Sequence, residues 1–448
     1  MKEVVIVGAG LAGLSAAWKL QDKDILILEK DQRFGGRIQS QKKGDYWMNW
    51  GAHVFAGEGS STEELLHETH VPSVEIPGTL KALSMNGKLL RNGHIATFPF
   101  RIPMPLSARF GTMYGGLKIV AGVAKYVGVV KKRENETGPE RQQRIYDFEN
   151  ERTFQEFIGK LPSDSAALFQ TTVIRSAGNM DQISAGAGIG YFSLVLGFGQ
   201  GLQRGILGGP STLTSKIAGT VDSKLQLGAE VYEVIDNKDS VTVRYTKDGA
   251  NHEVQAKAVI LACTANITKK VAVNISAELG AALSEVKYGP HVSTAFLTNE
   301  TGARPWDDIY AIAAPKRSFA IALNQASIVR GSEEFRKQGG SFMTFSPAAL
   351  GRALLHKSEE EVIETHLRDL DQVLNYKGFT ETITEAKMER WENASPYCAP
   401  GRAKIQPTLM KGEGRVLLAG DYLGTLYTET AVTTGFTAAE RALKVLTA

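Results

Sequence analysis

The chain is predicted to take an α/β fold, α+β overall: a Rossmann-type dinucleotide-binding domain interrupted by a second domain of mixed sheet and helix. Three runs predict it. Lys2 to Leu20 reads KEVVIVGAGLAGLSAAWKL and is followed by ILILE ending at Glu29, which is strand, glycine turn, helix, strand, acid. AKAVILAC ends in Val259 to Cys263, which has the unbroken apolar character of a strand covered on both faces. RVLLAGD, Arg415 to Asp421, is a second such strand, and the residues after it run through a loop into a helix.

Each part of the first run has a mechanical reason. Gly8 allows the tight turn out of the strand, Gly10 leaves room for a pyrophosphate against the backbone, and Gly13 lets helix and strand pack closely. Leu11 and Ala12 open the helix, whose free N–H groups and positive dipole end suit phosphate. Glu29 stands twenty-one residues after Gly8, with Lys30 beside it, where a carboxylate accepts hydrogen bonds from both ribose hydroxyls. An acid there disfavours NADP. This motif alone does not separate FAD from NAD.

The extension separates them. KDQRFGGRIQS follows Glu29 and holds Gly35, Gly36 and Arg37. This second glycine pair with its arginine resembles the extended motif of flavoproteins related to glutathione reductase. More narrowly it resembles the flavin-dependent amine oxidase and protoporphyrinogen oxidase superfamily, which includes monoamine oxidase-like enzymes. The resemblance implies FAD, with the arginine segment wrapped on its pyrophosphate, a task that suits a guanidinium fork. It places Trp50, Gly51 and Ala52 of NWGAHVF at the cofactor and Val231 of LGAEVYEV at the adenine. It puts Gly420 and Asp421 at the ribityl chain. Thr430, Ala431 and Val432 then start a helix whose amides meet the flavin N1–C2=O edge, where reduction develops negative charge. Cys398 stands near the covalent attachment site of monoamine oxidases, but the tyrosine–cysteine order is reversed, so non-covalent FAD is expected.

On this reading the FAD-binding domain is discontinuous, comprising 1–75, 205–275 and 385–448, and the substrate-binding domain comprises 76–204 and 276–384. LSMNGKLL and GHIATFPF read as a hairpin leading into a proline-punctuated segment, and KRENETGPERQQR reads as a charged, exposed loop. Leu225 to Val234, Val241 to Tyr245 and Glu253 to Ala256 read as antiparallel strands, Val259 to Cys263 as a buried strand, and Glu359 to Leu374 as a helix. Leu117 to Val130 is apolar on one side and ends in Lys131, Lys132 and Arg133. It reads as a helix packed on its own domain, with association at a membrane surface as the alternative.

Composition bounds the partners. A net charge of +3 over 448 residues, with no basic stripe interleaved with aromatics, argues against nucleic acid. Two cysteines, Cys263 and Cys398, make neither a disulfide framework nor a metal set, and no metal is expected. No uninterrupted run of about 18 apolar residues is present, so no spanning helix is expected. The first strand starts at Lys2, which leaves no room for a signal peptide, and a cytoplasmic location is expected. Oligomeric state is not legible.

The resemblance implies hydride transfer from a substrate C–H bond to flavin N5, with oxygen or another acceptor reoxidising the flavin. Tyr427, three residues before Thr430, matches the spacing of one cage tyrosine of monoamine oxidase-like enzymes, and an aromatic face suits an amine. Trp391 or Tyr397 is the candidate second wall, and His53 a candidate proton acceptor. The lysine that many amine oxidases carry near N5 is missing: the aligned position is Ser293 or Thr294, and Lys287 is expected off the pocket. The expected reaction is oxidation of a small, partly aromatic secondary or tertiary amine to an imine, a nicotine-type alkaloid being one member of the class. The alternative is a protoporphyrinogen oxidase-like or carotenoid desaturase-like enzyme acting on a large apolar substrate, since WENASPYCAPGR resembles that branch as well.

Overall fold

The computed structural model describes residues 1–77, 82–198, 202–330, 337–425 and 427–447. Its first sheet runs in the order Leu225–Gln226, Ile25–Leu28, Lys2–Val7, Ala250–Leu261, Val241–Lys247, Glu230–Asp236, with Val416–Leu418 also on Ala250–Leu261. Lys2–Val7 is parallel to both Ile25–Leu28 and Ala250–Leu261, and its residues Val4, Val5 and Ile6 are fully buried. That central position explains why KEVVIV reads as an apolar run and not as an alternating one. Ala250–Leu261 is one continuous strand of 12 residues, where the sequence suggested two. Its first half pairs antiparallel with Val241–Lys247 and its second half parallel with Lys2–Val7, so one strand bridges two kinds of sheet.

The helices Leu11–Lys19 and Tyr427–Thr447 pack together over this sheet. Their close approach depends on Gly435, where a Cβ would sit 2.4 Å from the Ala12 carbonyl oxygen.

The second sheet runs Ile383–Tyr397, Lys287–Thr298, Gly340–Pro347, Ile321–Asn324, Ala311–Ala313, Ala82–Met85, Lys88–Leu90. Ile383–Tyr397 pairs along its length with Lys287–Thr298. Residues 385–397 therefore lie in the second sheet, although the sequence reading grouped them with the nucleotide-binding segment. The helix Glu359–Leu374 covers the far face of this sheet and starts with a capping box from Ser358 and Glu361.

Helices fill residues 98–195. The hairpin Ala82–Met85/Lys88–Leu90 is present, but Ile95–Thr97 is a 3-10 turn and Phe98–Arg101 a short helix. Pro99 sits in the first turn of that helix, where its missing N–H costs nothing. The charged run around Gly138 is also helical: Gly138–Asp147 begins at Thr137, which forms a capping box with Glu140. The apolar helix is longer than the sequence suggested. It spans Leu106–Val130, 25 residues, with a mean hydropathy of 1.3 over its best window, long and apolar enough by length and composition to cross a membrane. Scattered Gly, Arg and Lys residues broke the uninterrupted run that the sequence criterion required. One face of this helix packs on Ser163–Val173 and Ala185–Val195 through Ala108, Gly115, Ile119, Gly122 and Val123.

Candidate active site

A cavity of about 1510 Å³ runs from the glycine turn, past the second sheet, into the helical region. Single-ligand pockets reach roughly 1,000 Å³, so this one has room for a dinucleotide and a second molecule. At one end it is walled by Gly8, Gly10, Leu11, Ala12, Glu29 and Lys30. The glycines differ in what they protect. A Cβ at Gly13 would lie 1.9 Å from the Gly8 carbonyl oxygen, so Gly13 serves helix–strand packing and does not line the cavity. A Cβ at Gly10 would meet no protein atom within 4 Å. The helix that begins after Gly10 has no side-chain cap, so its first amides are free for a ligand. Glu29 is buried, and its two carboxylate oxygens accept the Ala9 and Asp31 amides at 2.8 and 3.0 Å, with lone pairs left for hydroxyls.

Gly35, Gly36 and Arg37 come next along the wall. Gly35 and Gly36 have φ of 96° and 56°, which bring this loop onto Gly10. The Arg37 guanidinium donates to both oxygens of Asp421, at 2.7 and 3.0 Å, and to the Ala394 carbonyl. The arginine and aspartate assigned to different parts of a cofactor thus form one bidentate pair across the cavity. Trp50, Gly51, Ala52, Val231, Gly420 and Asp421 also line it. The Trp50 indole donates to the Lys387 carbonyl and ties this loop to the second sheet. The residues present fit a bound dinucleotide: an open cradle at Gly10, a buried ribose-type acceptor at Glu29, and a guanidinium between them and Asp421.

The last helix differs from expectation. It starts at Tyr427, so Thr430, Ala431 and Val432 fall at its first and second turns. Ala431 lines the cavity; Thr430 and Val432 do not, and Val432 is fully buried in the core. The amides past the first turn are used by the helix's own ladder, so the free donors come from the residues at its start. Glu429 in that first turn accepts the amides of Ser61 and Thr62 at 2.8 and 2.9 Å and thereby caps the helix Ser61–Glu68.

Beyond the cradle the wall becomes aromatic. Tyr427, Trp391 and His53 all line the cavity, whereas Tyr397 does not. Tyr397 packs against Gly178 and the helical cluster around Ile183, on the far side of a register shift from Trp391. His53 Nδ1 lies 3.2 Å from the Gly51 carbonyl, an acceptor only, so Nδ1 carries the proton and Nε2 is the basic nitrogen. Burial, helped by the nearby Arg175 cation and opposed by the Gly51 carbonyl, pushes the His53 pKa down to about 4.

The sequence reading missed His291. It lines the cavity directly opposite Trp391 in the strand register, and its ring meets Phe345 edge-on at 4.5 Å. Its buried Nε2 has no hydrogen-bond partner among the described residues. Burial first, then the Arg37 and His53 charges, lower its pKa to about 3. Ser293 lies on the same face two residues on, buried with an unpartnered hydroxyl, while Thr294 faces away and bonds His366 at 2.8 Å. Lys287 is exposed and pairs with Glu285 at 3.7 Å, clear of the cavity. On this strand face His291 meets the cavity, with Ser293 beside it, and the strand's lysine, Lys287, stays clear of it. The alternation of YGPHVSTAF signalled this placement once the buried face of the strand was known. Cys398 also lines the cavity, and burial raises its thiol pKa. Among the described residues no His, Cys, Asp and Glu group forms a metal site.

A glycine cradle, a ribose-type acid, and an arginine–aspartate pair leading to an aromatic chamber define a flavoprotein of the oxidoreductase class. A family profile described as flavin containing amine oxidoreductase matches residues 11–443, and the chain belongs to that family. Locally, 89 residues are 37% identical to a probable flavin-containing monoamine oxidase A of Dictyostelium discoideum, covering 19% of this chain and 20% of that one. A stretch of 52 residues is 48% identical to an L-amino-acid oxidase of Crotalus adamanteus, 11% of this chain and 10% of the other. The chain thus aligns with a fifth or less of these relatives' length. Over the whole chain the fold is similar to cyclohexylamine oxidase from Brevibacterium oxydans, with a TM-score of 0.77, 15% identity and 100% of both chains covered. It is similar also to putrescine oxidase bound to putrescine, with a TM-score of 0.76, 15% identity and 99% of both chains covered.

Proposed function

We propose that this chain holds FAD non-covalently and oxidises a small, partly aromatic secondary or tertiary amine to an imine, with oxygen or another acceptor taking the electrons. When bound, the flavin supplies the hydride acceptor. The chain's own groups bind and orient the amine and decide its protonation. The observation that carries the reading is electrostatic. Two half-buried imidazoles, His53 and His291, stand at the aromatic part of the cavity, held neutral by desolvation. Arg175 acts on His53, while the Arg37 near His291 is already paired with Asp421. An ammonium there would lose its water among neutral rings with no free carboxylate beside them, so the amine binds without its extra proton. The neutral amine is also the reactive form, since its lone pair is needed to release hydride. The Tyr427 and Trp391 rings offer the substrate an apolar, electron-rich wall.

Anaerobic mixing of the yellow protein with a panel of amines tests this. Flavin absorbance is expected to bleach with a subset of them, at a rate that rises with pH through the ionisation of the amine. Failure of every amine to bleach a flavin that dithionite does reduce would reject the amine reading. In a second test, Tyr427→Ala is expected to raise KM about tenfold, the worth of one aromatic wall at roughly 1.5 kcal/mol. Tyr427→Phe is expected to stay near the parent. Equal KM for all three proteins would remove Tyr427 from the substrate wall.

A further inference from the structure

Among the described residues, exposed apolar side chains concentrate at the helical end. Of thirteen large apolar side chains that are exposed among the described residues, nine belong to one region, 100–127 together with Phe198. On the long helix Leu106–Val130, the exposed residues Leu106, Phe110, Tyr114, Leu117, Val120 and Val127 recur at spacings of three, four and seven. They form a stripe opposite the face that packs on the domain. Leu106 is 72% exposed and Leu117 71%. A stripe of this length marks an interaction surface.

Charge identifies the partner. Residues 76–133 hold ten Lys and Arg and no Asp or Glu, in a chain whose totals are 51 basic and 48 acidic residues. Lys125, Lys131 and Lys132 are exposed and have no carboxylate partner among the described residues. Arg101 and Arg109 donate to backbone carbonyls instead of acids. A second copy of this chain meeting the same surface would set basic residues against basic residues. An anionic bilayer satisfies both halves of the pattern, taking the apolar stripe into its acyl boundary and the lysines at its headgroups. Spanning is disfavoured, because one face of the helix is already held by the domain and Arg109, Lys118 and Lys125 interrupt it.

We propose that the stripe on Leu106–Val130, flanked by Phe100 and Phe198 and by Lys131 and Lys132, docks this protein on the surface of an anionic phospholipid bilayer. Phe100, Met113, Leu117, Val120 and Phe198 also line the cavity, so docking seats its helical end against the lipid. Binding is read without turnover, so the test is independent of the amine reading.

The experiment is sedimentation of the full-length, flavin-loaded protein with vesicles of phosphatidylcholine, with and without phosphatidylglycerol. Pelleting is expected with the anionic vesicles and is expected to weaken as salt is raised. Leu106→Ser/Phe110→Ser, which spares the cavity lining, and Lys131→Glu/Lys132→Glu are each expected to weaken binding about tenfold or more with an unchanged flavin spectrum. Lys247→Glu/Lys257→Glu, on the nucleotide sheet, is expected to bind as the parent does. Absence of pelleting with either vesicle overturns the proposal. So does binding that the stripe and lysine variants do not alter. Concentration-dependent dimers that Leu106→Ser/Phe110→Ser abolishes, without vesicle binding, would reassign the stripe to self-association.

Discussion

A Gly10→Ala chain is expected to fold like the parent and to bind flavin about thirtyfold more weakly, roughly 2 kcal/mol of affinity. The structure separates the two effects. Gly10 has φ −73° and ψ 179°, a conformation any residue adopts, and a Cβ there meets no protein atom within 4 Å. The space it would fill is the space a pyrophosphate uses against the helix N-terminus. Gly13→Ala provides the contrast. Its Cβ would lie 1.9 Å from the Gly8 carbonyl oxygen and 3.2 Å from the Ala262 side chain, so the helix must move off the strand. That variant is expected to lose stability by about 1–3 kcal/mol as well as flavin. The measurement is the flavin-to-protein absorbance ratio after titration with FAD, beside urea midpoints of the flavin-free proteins. A Gly10→Ala protein that binds FAD as tightly as the parent would place the pyrophosphate elsewhere.

Stability is expected to fall steeply between pH 6.5 and 4. Three desolvated histidines are responsible: half-buried His53 and buried His366 with pKa lowered to about 4, and half-buried His291 to about 3, each mainly by desolvation. The unfolded chain binds these protons near pH 6.5 while the folded chain resists them, so stability is complete above that value and is lost as pH falls. By linkage each histidine removes about 2 kcal/mol at pH 5, and together they approach a typical domain's whole stability. His366 isolates the effect from the cavity. Its Nδ1 meets the Thr294 and Thr344 hydroxyls at 2.8 and 2.9 Å, and its Nε2 meets Ser346 at 3.1 Å. His366→Gln is expected to lower stability at pH 7.5, where this network is cut, and to flatten the loss between pH 7.5 and 5 by about 2 kcal/mol. Urea midpoints at the two pH values measure both. A slope unchanged by the substitution would show that His366 does not govern the acid limb.

The cofactor end of this molecule was legible in the residues because its requirements are local. The turn at Gly8, the cradle at Gly10, the packing at Gly13 and the acid at Glu29 all fall within one βαβ unit, where spacing along the chain is spacing in space. The aromatic chamber was legible only in part, since strand register and helix packing, not adjacency, bring its members together. Trp391 reaches the cavity because Ile383–Tyr397 joins the second sheet, and six residues later on that same strand Tyr397 does not. His291 looked like one residue of an apolar strand until the pairing with Ile383–Tyr397 put it opposite Trp391. The glycine motif, the acid, the arginine–aspartate elements and the basic, acid-free segment are thus determined by sequence alone. Which imidazoles and rings share the cavity, where the last helix begins, and which face of Leu106–Val130 is left uncovered were decided by tertiary packing, because burial is a property of neighbours that the chain order does not specify.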